Sequence, residues 1–287
     1  MLEASVIVPV YNDPDGIRTT LDSLVNQTAT DYEVVVVDNG STDETPTVVE
    51  EYADDERVRL VTERAIRSSY AARNSGIEAA DGAYLCFLDA DTWVNSTYIE
   101  RVTAAMRDDG HDYAGCRVEV VSADGPVGAF VAATAFPVER FLATEAFVPT
   151  CCLTVHRRVV EAVGGFDDLL VSGGDDEFGK RVAGAGFDQA YLADVVVFHP
   201  ARATVGALVA KYSRIGRGRE QLTRRHPDRF DARPLWDPRN YLPGPPRAPA
   251  RGASKPQGFS ALGTWLALTW LTKLAVARGR LLERARL

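Results

Sequence analysis

The sequence predicts an α/β protein: an open, mostly parallel sheet flanked by helices, with a helical extension at the C-terminal end. Three observations carry this reading. Apolar runs rich in Val recur at even intervals, segments of helical periodicity separate them, and the runs are too continuously apolar to leave one face in water. Strand, helix, strand, helix in this order means parallel pairing through crossovers.

The first strand is expected over residues 5–10, "SVIVPV", and the helix after it carries Ile17, Leu21, Leu24 and Val25. The second is "YEVVVVDN", 32–39; "STDETP" then places Ser41 or Thr42 as the cap of a helix bearing Val48, Val49 and Tyr52. The third is "VRLVTE", 58–63, and the fourth "AYLCFLDAD", 83–91. "NSTYIE" offers Asn95 or Ser96 as the next cap. Beyond Arg107 a strand near 113–121 precedes a more irregular stretch through Pro149. Then come "CCLTVHRRVVEAVGGFDD", a helix carrying "DDEFGKRVAGAG", a strand "AYLADVVVFHP" and a helix from Val205 to Arg224. Residues 1–225 read as one domain, the Pro/Arg-rich 226–258 as linker or surface loop, and 259–287 as a terminal helix.

At 287 residues and 46% hydrophobic composition the chain can bury a sizeable core, and disorder is not the default reading. No charged-then-apolar leader precedes Val6, so no signal peptide is expected and the body is assigned to the cytosol. The four cysteines lack CxxC or paired-His spacing and read as core thiols. A net charge of −8 conceals an asymmetry: residues 201–287 carry 18 Lys and Arg against five acids, net +13, leaving residues 1–200 at −21. A basic tail on an acidic body implies an anionic partner, whether membrane surface, phosphate or nucleic acid.

Ligands of an open parallel sheet bind beyond the carboxyl ends of the strands, and polar residues gather there in this chain. Tyr11, Asn12 and Asp13 follow the first run, Asp38, Asn39 and Gly40 end the second, and Asp89 and Asp91 end the fourth. Any one acid is explained by a helix cap or a turn. Three strand ends together point to a site. Alternation along a strand sends Asp89 and Asp91 to the same side, so both can reach one Mg2+ or Mn2+, with a diphosphate completing the shell. Without a cation the two charges repel each other beside an apolar core.

In order along the chain, "SVIVPVYN", "VVVVDNGSTDET", "AARNSGIEAADGAYLCFLDADTW", "VGGFDD" and "SGGDDEFGKR" resemble the family 2 glycosyltransferases over roughly residues 4–220. The resemblance implies a GT-A type fold, with a Rossmann-like mostly parallel sheet. It also implies inverting sugar transfer from a UDP-, GDP- or dTDP-linked donor, with Mn2+ or Mg2+ as cofactor. It puts Pro9 and Tyr11 beside the base, Asp38 on the base or ribose, and Arg73 near the base or phosphates. Asp89 falls on the ribose side of the DxD and Asp91 on the main metal ligand. The family's catalytic base lies in a "GED" triplet. Gapless alignment puts Gly174 where the Glu stands and Asp175 on the base, with Asp176 as the fallback. That departure removes a usual acceptor-binding carboxylate and leaves room for a catalytically silent nucleotide- or glycan-binding module. His199 ends a strand where many relatives carry a histidine near metal and diphosphate; a satisfied structural histidine is the other reading. Arg214, with Arg217 and Arg219, either grips phosphate or lines a solvated helix face.

The last segment has its own two readings. Its apolar part, 259–277, is borderline for crossing a bilayer, which takes ~20 apolar residues. Trp265, Leu266, Leu268, Trp270 and Leu271, flanked by Arg278, Arg280, Arg284 and Arg286, suit a helix at an anionic membrane surface. Packing against the enzyme's own body or a dimer partner is the alternative. A lipid-docked tail fits a polyprenyl-phosphate-linked acceptor in place of a free glycan, and a peripheral place on the cytoplasmic face. No nucleic-acid-binding fold or stacking motif and no GxGxxG after the first strand is present.

Overall fold

The computed structural model describes residues 2–121, 125–201, 204–231, 233–242 and 259–286, with side chains within the last helix described from 262. They divide into two compact units. One is Met1–Glu119, Val138–Leu169 and Gly174–His199; the other is Val120–Pro137, Leu170–Gly173 and Pro200–Leu287.

The chain opens with β1 (Ala4–Val10), α1 (Pro14–Val25), β2 (Tyr32–Asp38), α2 (Thr45–Glu50), β3 (Val58–Thr62), α3 (Ser69–Ala79) and β4 (Tyr84–Phe87). A two-residue β5 (Trp93–Val94), α4 (Tyr98–Asp108) and β6 (Tyr113–Val121) follow, then α5 (Pro126–Thr134) and α6 (Val138–Glu145). β7 (Leu153–His156), α7 (Arg157–Val163), α8 (Gly174–Gly184) and β8 (Gln189–Pro200) complete the strands, before α9 (Val205–Arg225) and α10 (Phe259–Arg284). The sheet runs β3-β2-β1-β4-β7-β6-β8-β5. Its first half, β3 to β4, is parallel throughout; β7 is antiparallel to both β4 and β6, and β5 is antiparallel to β8.

The apolar runs become the parallel half because helices cover both faces. Val6, Ile7 and Val8 of β1, Val34 to Val37 of β2, and Leu85 to Phe87 of β4 are fully buried. α1 starts where Asp13 accepts a hydrogen bond from Gly16 N–H and Pro14 takes the first turn, and it lays Ile17, Leu21 and Leu24 on the sheet. The register sets Val10 beside Asp38, so the polar residues after β1 and β2 emerge together.

Local chemistry departs from the sequence expectations in four places. Ser41 and Thr42 do not cap α2, whose N-cap is Glu44. Their hydroxyls accept from the backbone and side-chain amides of Asn12, and Asn12 Oδ1 accepts from Thr42 N–H, tying the two strand ends together. Neither Asn95 nor Ser96 caps α4; Thr97 does so without a side-chain bond, while Ser96 C=O accepts from Thr28 N–H. The stretch before Pro149 is not irregular but holds α5 and α6. Finally, Asp89 and Asp91 lie in a turn beyond β4, not on the strand, so the turn and not strand alternation sets their directions.

In the second unit α10 lies along α9 at backbone contact distance. A Cβ at Gly216 would fall 2.1 Å from Val276 O, and one at Gly279 would fall 1.9 Å from Ser213 O. Arg217 Nε and Gln221 Nε2 donate to Glu283, at 3.0 and 2.7 Å, and Arg280 Nε donates to Glu220 at 3.1 Å. Trp265 and Leu268 pack against Phe130, Val131 and Leu208. One face of the terminal helix is therefore buried within its own unit. Elsewhere along it Leu262, Leu266, Trp270, Leu281 and Leu282 are exposed, as is Trp236 of the preceding segment. Among the described residues no single helix is long and apolar enough to cross a membrane. Of the expected 226–258 loop, 232 and 243–258 lie outside the described residues, and the described part holds a 3-10 turn, Pro238–Asn240.

Candidate active site

The acids emerge from the carboxyl ends of the parallel strands. After β4 the chain turns, with Thr92 N–H and its hydroxyl both donating to Asp89 C=O, at 3.2 and 2.8 Å. It then enters β5, which pairs Trp93 with Phe198 of β8, their rings stacked 5.8 Å apart. This pairing of two short segments distant in sequence carries His199 to the acids. One ligand atom from each of Asp89, Asp91 and His199 lies within 4.8 Å of the others, and His199 Nε2 is 4.0 Å from Asp91 Oδ1. Two carboxylate oxygens suit a hard divalent cation such as Mn2+ or Mg2+, the imidazole nitrogen is a donor Mn2+ accepts more readily than Mg2+ does, and Asp89 and Asp91 keep enough exposure to take an exogenous ligand.

Arg73, on α3, is buried to 4% exposure beside this cluster. Nη2 donates to Asp89 Oδ1 at 2.6 Å and Nη1 to Ser69 C=O at 3.2 Å, while Nε is buried without a hydrogen-bond partner. The pairing orients one carboxylate oxygen of Asp89 and leaves the other for a ligand.

At the neighbouring strand ends, Pro9 is half-buried and Tyr11 is exposed, with the Arg67 guanidinium 4.9 Å from its ring centroid. Asp38 is buried, and its two carboxylate oxygens accept from Ser41 N–H at 3.0 and 3.3 Å. Asn39 Nδ2 donates to Glu63 and Ile66 carbonyls, at 3.2 and 2.9 Å, and so fixes the loop after β3. A cleft of about 250 Å³ opens here, lined by Asn39, Gly40, Ser41, Glu63, Arg64 and Arg67.

The start of α8 presents Asp175 and Asp176, and the two differ. Asp176 pairs with Lys180 one turn on. Asp175 Oδ1 accepts from Asp176 N–H at 3.1 Å, and desolvation lifts its pKa from 3.8 to about 6, with the nearby Asp176 charge adding and Arg73 opposing. A raised carboxyl in this position is the pattern of a general base tuned towards neutral pH. Glu177 is buried but bound to Arg181 at 2.8 Å, a structural pair. Arg214 is exposed on α9 of the second unit, outside the group assembled in the first.

Sequence reasoning overlooked Tyr70, Arg64 and Arg67. Tyr70 packs on the backbone of Gly174, whose unexpected place in the "GED" position was the one signal that could have exposed it.

A curled α/β sheet with acids and a histidine grouped beyond its parallel strands defines a GT-A type glycosyltransferase. Residues 5–158 match the family described as Glycosyl transferase family 2, and the chain belongs to that family. It is 34% identical to Glycosyltransferase AglE of Haloferax volcanii over 96% of this chain and 94% of that protein. It is also 30% identical to the UDP-Glc:alpha-D-GlcNAc-diphosphoundecaprenol beta-1,3-glucosyltransferase WfgD of Escherichia coli, over 45% of this chain and 50% of WfgD. Among solved structures, the mannosyltransferase PcManGT from Pyrobaculum calidifontis, in complex with GDP-Man and Mn2+, superposes with a TM-score of 0.62 at 24% identity, covering 83% of this chain and 67% of that one. S. aureus TarS 1-349 with UDP-GlcNAc superposes with a TM-score of 0.56 at 21% identity, over 77% and 67%. At these identities the likeness shows the fold.

Proposed function

We propose that the protein is a metal-dependent inverting glycosyltransferase that moves a sugar from a UDP-, GDP- or dTDP-linked donor to a glycan or a polyprenyl-phosphate-linked acceptor. The observation that carries this is the Asp89, Asp91 and His199 cluster beside buried Arg73 at the carboxyl ends of the parallel strands. The neighbours solved with GDP-Man and Mn2+, and with UDP-GlcNAc, support the donor class.

Pro9, Tyr11 and Asp38 hold the base and ribose, with the Asn39–Arg67 cleft extending that subsite. Asp91, Asp89 and His199 would hold Mn2+ or Mg2+, which would supply Lewis-acid neutralisation of the departing diphosphate. Arg73 steadies Asp89 and directs positive charge at the same group. Asp175 takes the proton of the acceptor hydroxyl as it attacks the anomeric carbon, and Asp176, committed to Lys180, stands behind it. An acceptor that is itself an ionised phosphate needs no base, so dependence on Asp175 reports the acceptor class.

The exposed Trp270, Leu266 and Leu281, with Arg278 and Arg286, suit docking on an anionic membrane, and thus a peripheral place on the cytoplasmic face. WfgD, whose name states a diphosphoundecaprenol-linked substrate, lends support to a lipid-linked acceptor. Salt-sensitive sedimentation with phosphatidylglycerol vesicles but not phosphatidylcholine vesicles or oligonucleotides is expected; equal binding to all three counts against it. For the enzyme, nucleoside diphosphate release is assayed across UDP-, GDP- and dTDP-sugars with Mn2+ and Mg2+. Turnover that EDTA and Asp91→Ala both abolish is expected, and turnover insensitive to both defeats the proposal.

A further inference from the structure

Gly174 opens α8, and the ring of Tyr70 from α3 lies where a side chain at 174 would begin. A Cβ there would meet Tyr70 Cζ at 2.8 Å and both Cε atoms at 2.9 Å. That ring has nowhere to go. It is 7% exposed and stacks on Phe166 at 5.8 Å, and Phe166 in turn packs on Phe87 of β4 at 5.4 Å and on Phe178 of α8 at 4.7 Å. The aromatic group therefore touches the helix that begins at Gly174 and the strand that runs into Asp89. One turn along α3 from Tyr70, Arg73 pairs with Asp89 and lies 5.8 Å from the Tyr70 ring centroid.

We propose that Tyr70 is a positioning residue for sugar transfer: its ring, seated on the bare backbone of Gly174 and stacked on Phe166, fixes the start of α8 and hence Asp175 relative to the turn bearing Asp89 and Asp91. The inference rests on the reading of Asp175 as the base. It also explains why the carboxylate expected at position 174 is missing. A side chain begun at 174 would collide with the Tyr70 ring, so the large ring and the small glycine pack as one unit and a Glu at 174 would need the ring to move. Because proton abstraction depends on placement at sub-ångström tolerance, a shift of α8 shows in the rate before it shows in donor binding.

The test uses the full chain with Tyr70→Ala, Tyr70→Phe, Gly174→Ala, Tyr70→Ala/Gly174→Ala and Asp175→Asn. Tyr70→Ala is expected to lower kcat about 10- to 100-fold while the donor KM moves by less than about threefold, measured with the sugar nucleotide that wild type turns over. Tyr70→Phe, which keeps the ring, restores kcat to within about threefold of wild type. In thermal melts, which need no donor, Gly174→Ala lowers Tm and adding Tyr70→Ala recovers part of that loss, a non-additivity expected of side chains in contact. A Tyr70→Ala protein with wild-type kcat, a Tyr70→Phe protein as slow as Tyr70→Ala, or strictly additive Tm changes overturns the inference. Should Asp175→Asn retain the wild-type rate, it is the base assignment that falls, and the positioning role with it; an inactive Asp175→Asn beside a fully active Tyr70→Ala overturns the inference alone.

Discussion

Arg73 Nη2 lies 2.6 Å from Asp89 Oδ1, at the bottom of the acidic cluster, with the arginine buried and the aspartate about one-third exposed. The guanidinium spans two partners, Asp89 and Ser69 C=O, which uses its planar fork. Removing it leaves Asp89 without its counter-charge beside Asp91.

Arg73→Ala is therefore expected to cost roughly 1–3 kcal/mol of stability, less than a fully buried pair because Asp89 reaches water, and to weaken donor binding. Arg73→Lys should not rescue either, since a point-charge ammonium cannot serve both acceptors in one plane. Urea denaturation and donor titration of the two variants check this; full rescue by lysine contradicts it.

His199 offers the only nitrogen in the Asp89, Asp91 and His199 group. His199→Ala should raise the Mn2+ concentration needed for half-maximal activity by about 10- to 100-fold, with activity recovering at high Mn2+. An unchanged Mn2+ requirement would reassign His199 to a structural role.

How much of this was legible in the sequence differs by the range of the contacts involved. The parallel half of the sheet was legible because strands such as "VIVPV" and "VVVV" are buried on both faces and must be apolar along their whole length. Helix caps were not, because Ser41 and Thr42 found a tertiary partner in Asn12 that competes with local capping. The sequence located Asp89 and Asp91 but ascribed their shared direction to strand alternation, when a turn supplies it. His199 was expected near the metal through the family resemblance alone, because the two-residue pairing of Trp93 and Val94 with β8 that brings it there is too short to leave a periodic signal. Tyr70 was invisible for a related reason: its contact with Gly174 joins positions far apart in the chain, and a glycine at a helix start has many local explanations.

The pH dependence follows from Asp175. Its native pKa of about 6 lies above the ordinary 3.8, so the folded protein holds this proton more tightly than the unfolded chain does. Its ionisation therefore opposes folding, with the penalty growing from pH 4 to 6 and complete above it. Asp175→Asn should stabilise the protein by about 1–2 kcal/mol at pH 8, allowing for partial solvent contact, and the gain should vanish near pH 4. For a hydroxyl acceptor, wild-type kcat should rise through pH 6 as the base deprotonates, and this limb should be absent in Asp175→Asn. A Tm difference independent of pH contradicts the assignment.

The α9–α10 crossing predicts a sharp size limit. With Ser213 O where a Cβ of residue 279 would go, Gly279→Ala forces the helices apart and should cost about 1–3 kcal/mol, lowering Tm. Ala267→Ser, on an exposed position of the same helix, should change Tm little. Equal effects from the two would mean that the crossing is looser than described.

On the proposed function, Asp89, Asp91 and His199 would hold the divalent cation through which the donor's diphosphate binds. Calorimetric titration of GDP and UDP into wild type and Asp91→Ala, each with Mn2+ and with EDTA, tests it most directly. Wild type is expected to bind at least one nucleotide tightly only with Mn2+, and Asp91→Ala to lose this dependence along with most of the affinity. Nucleotide binding of equal strength in EDTA, unchanged by Asp91→Ala, would contradict it.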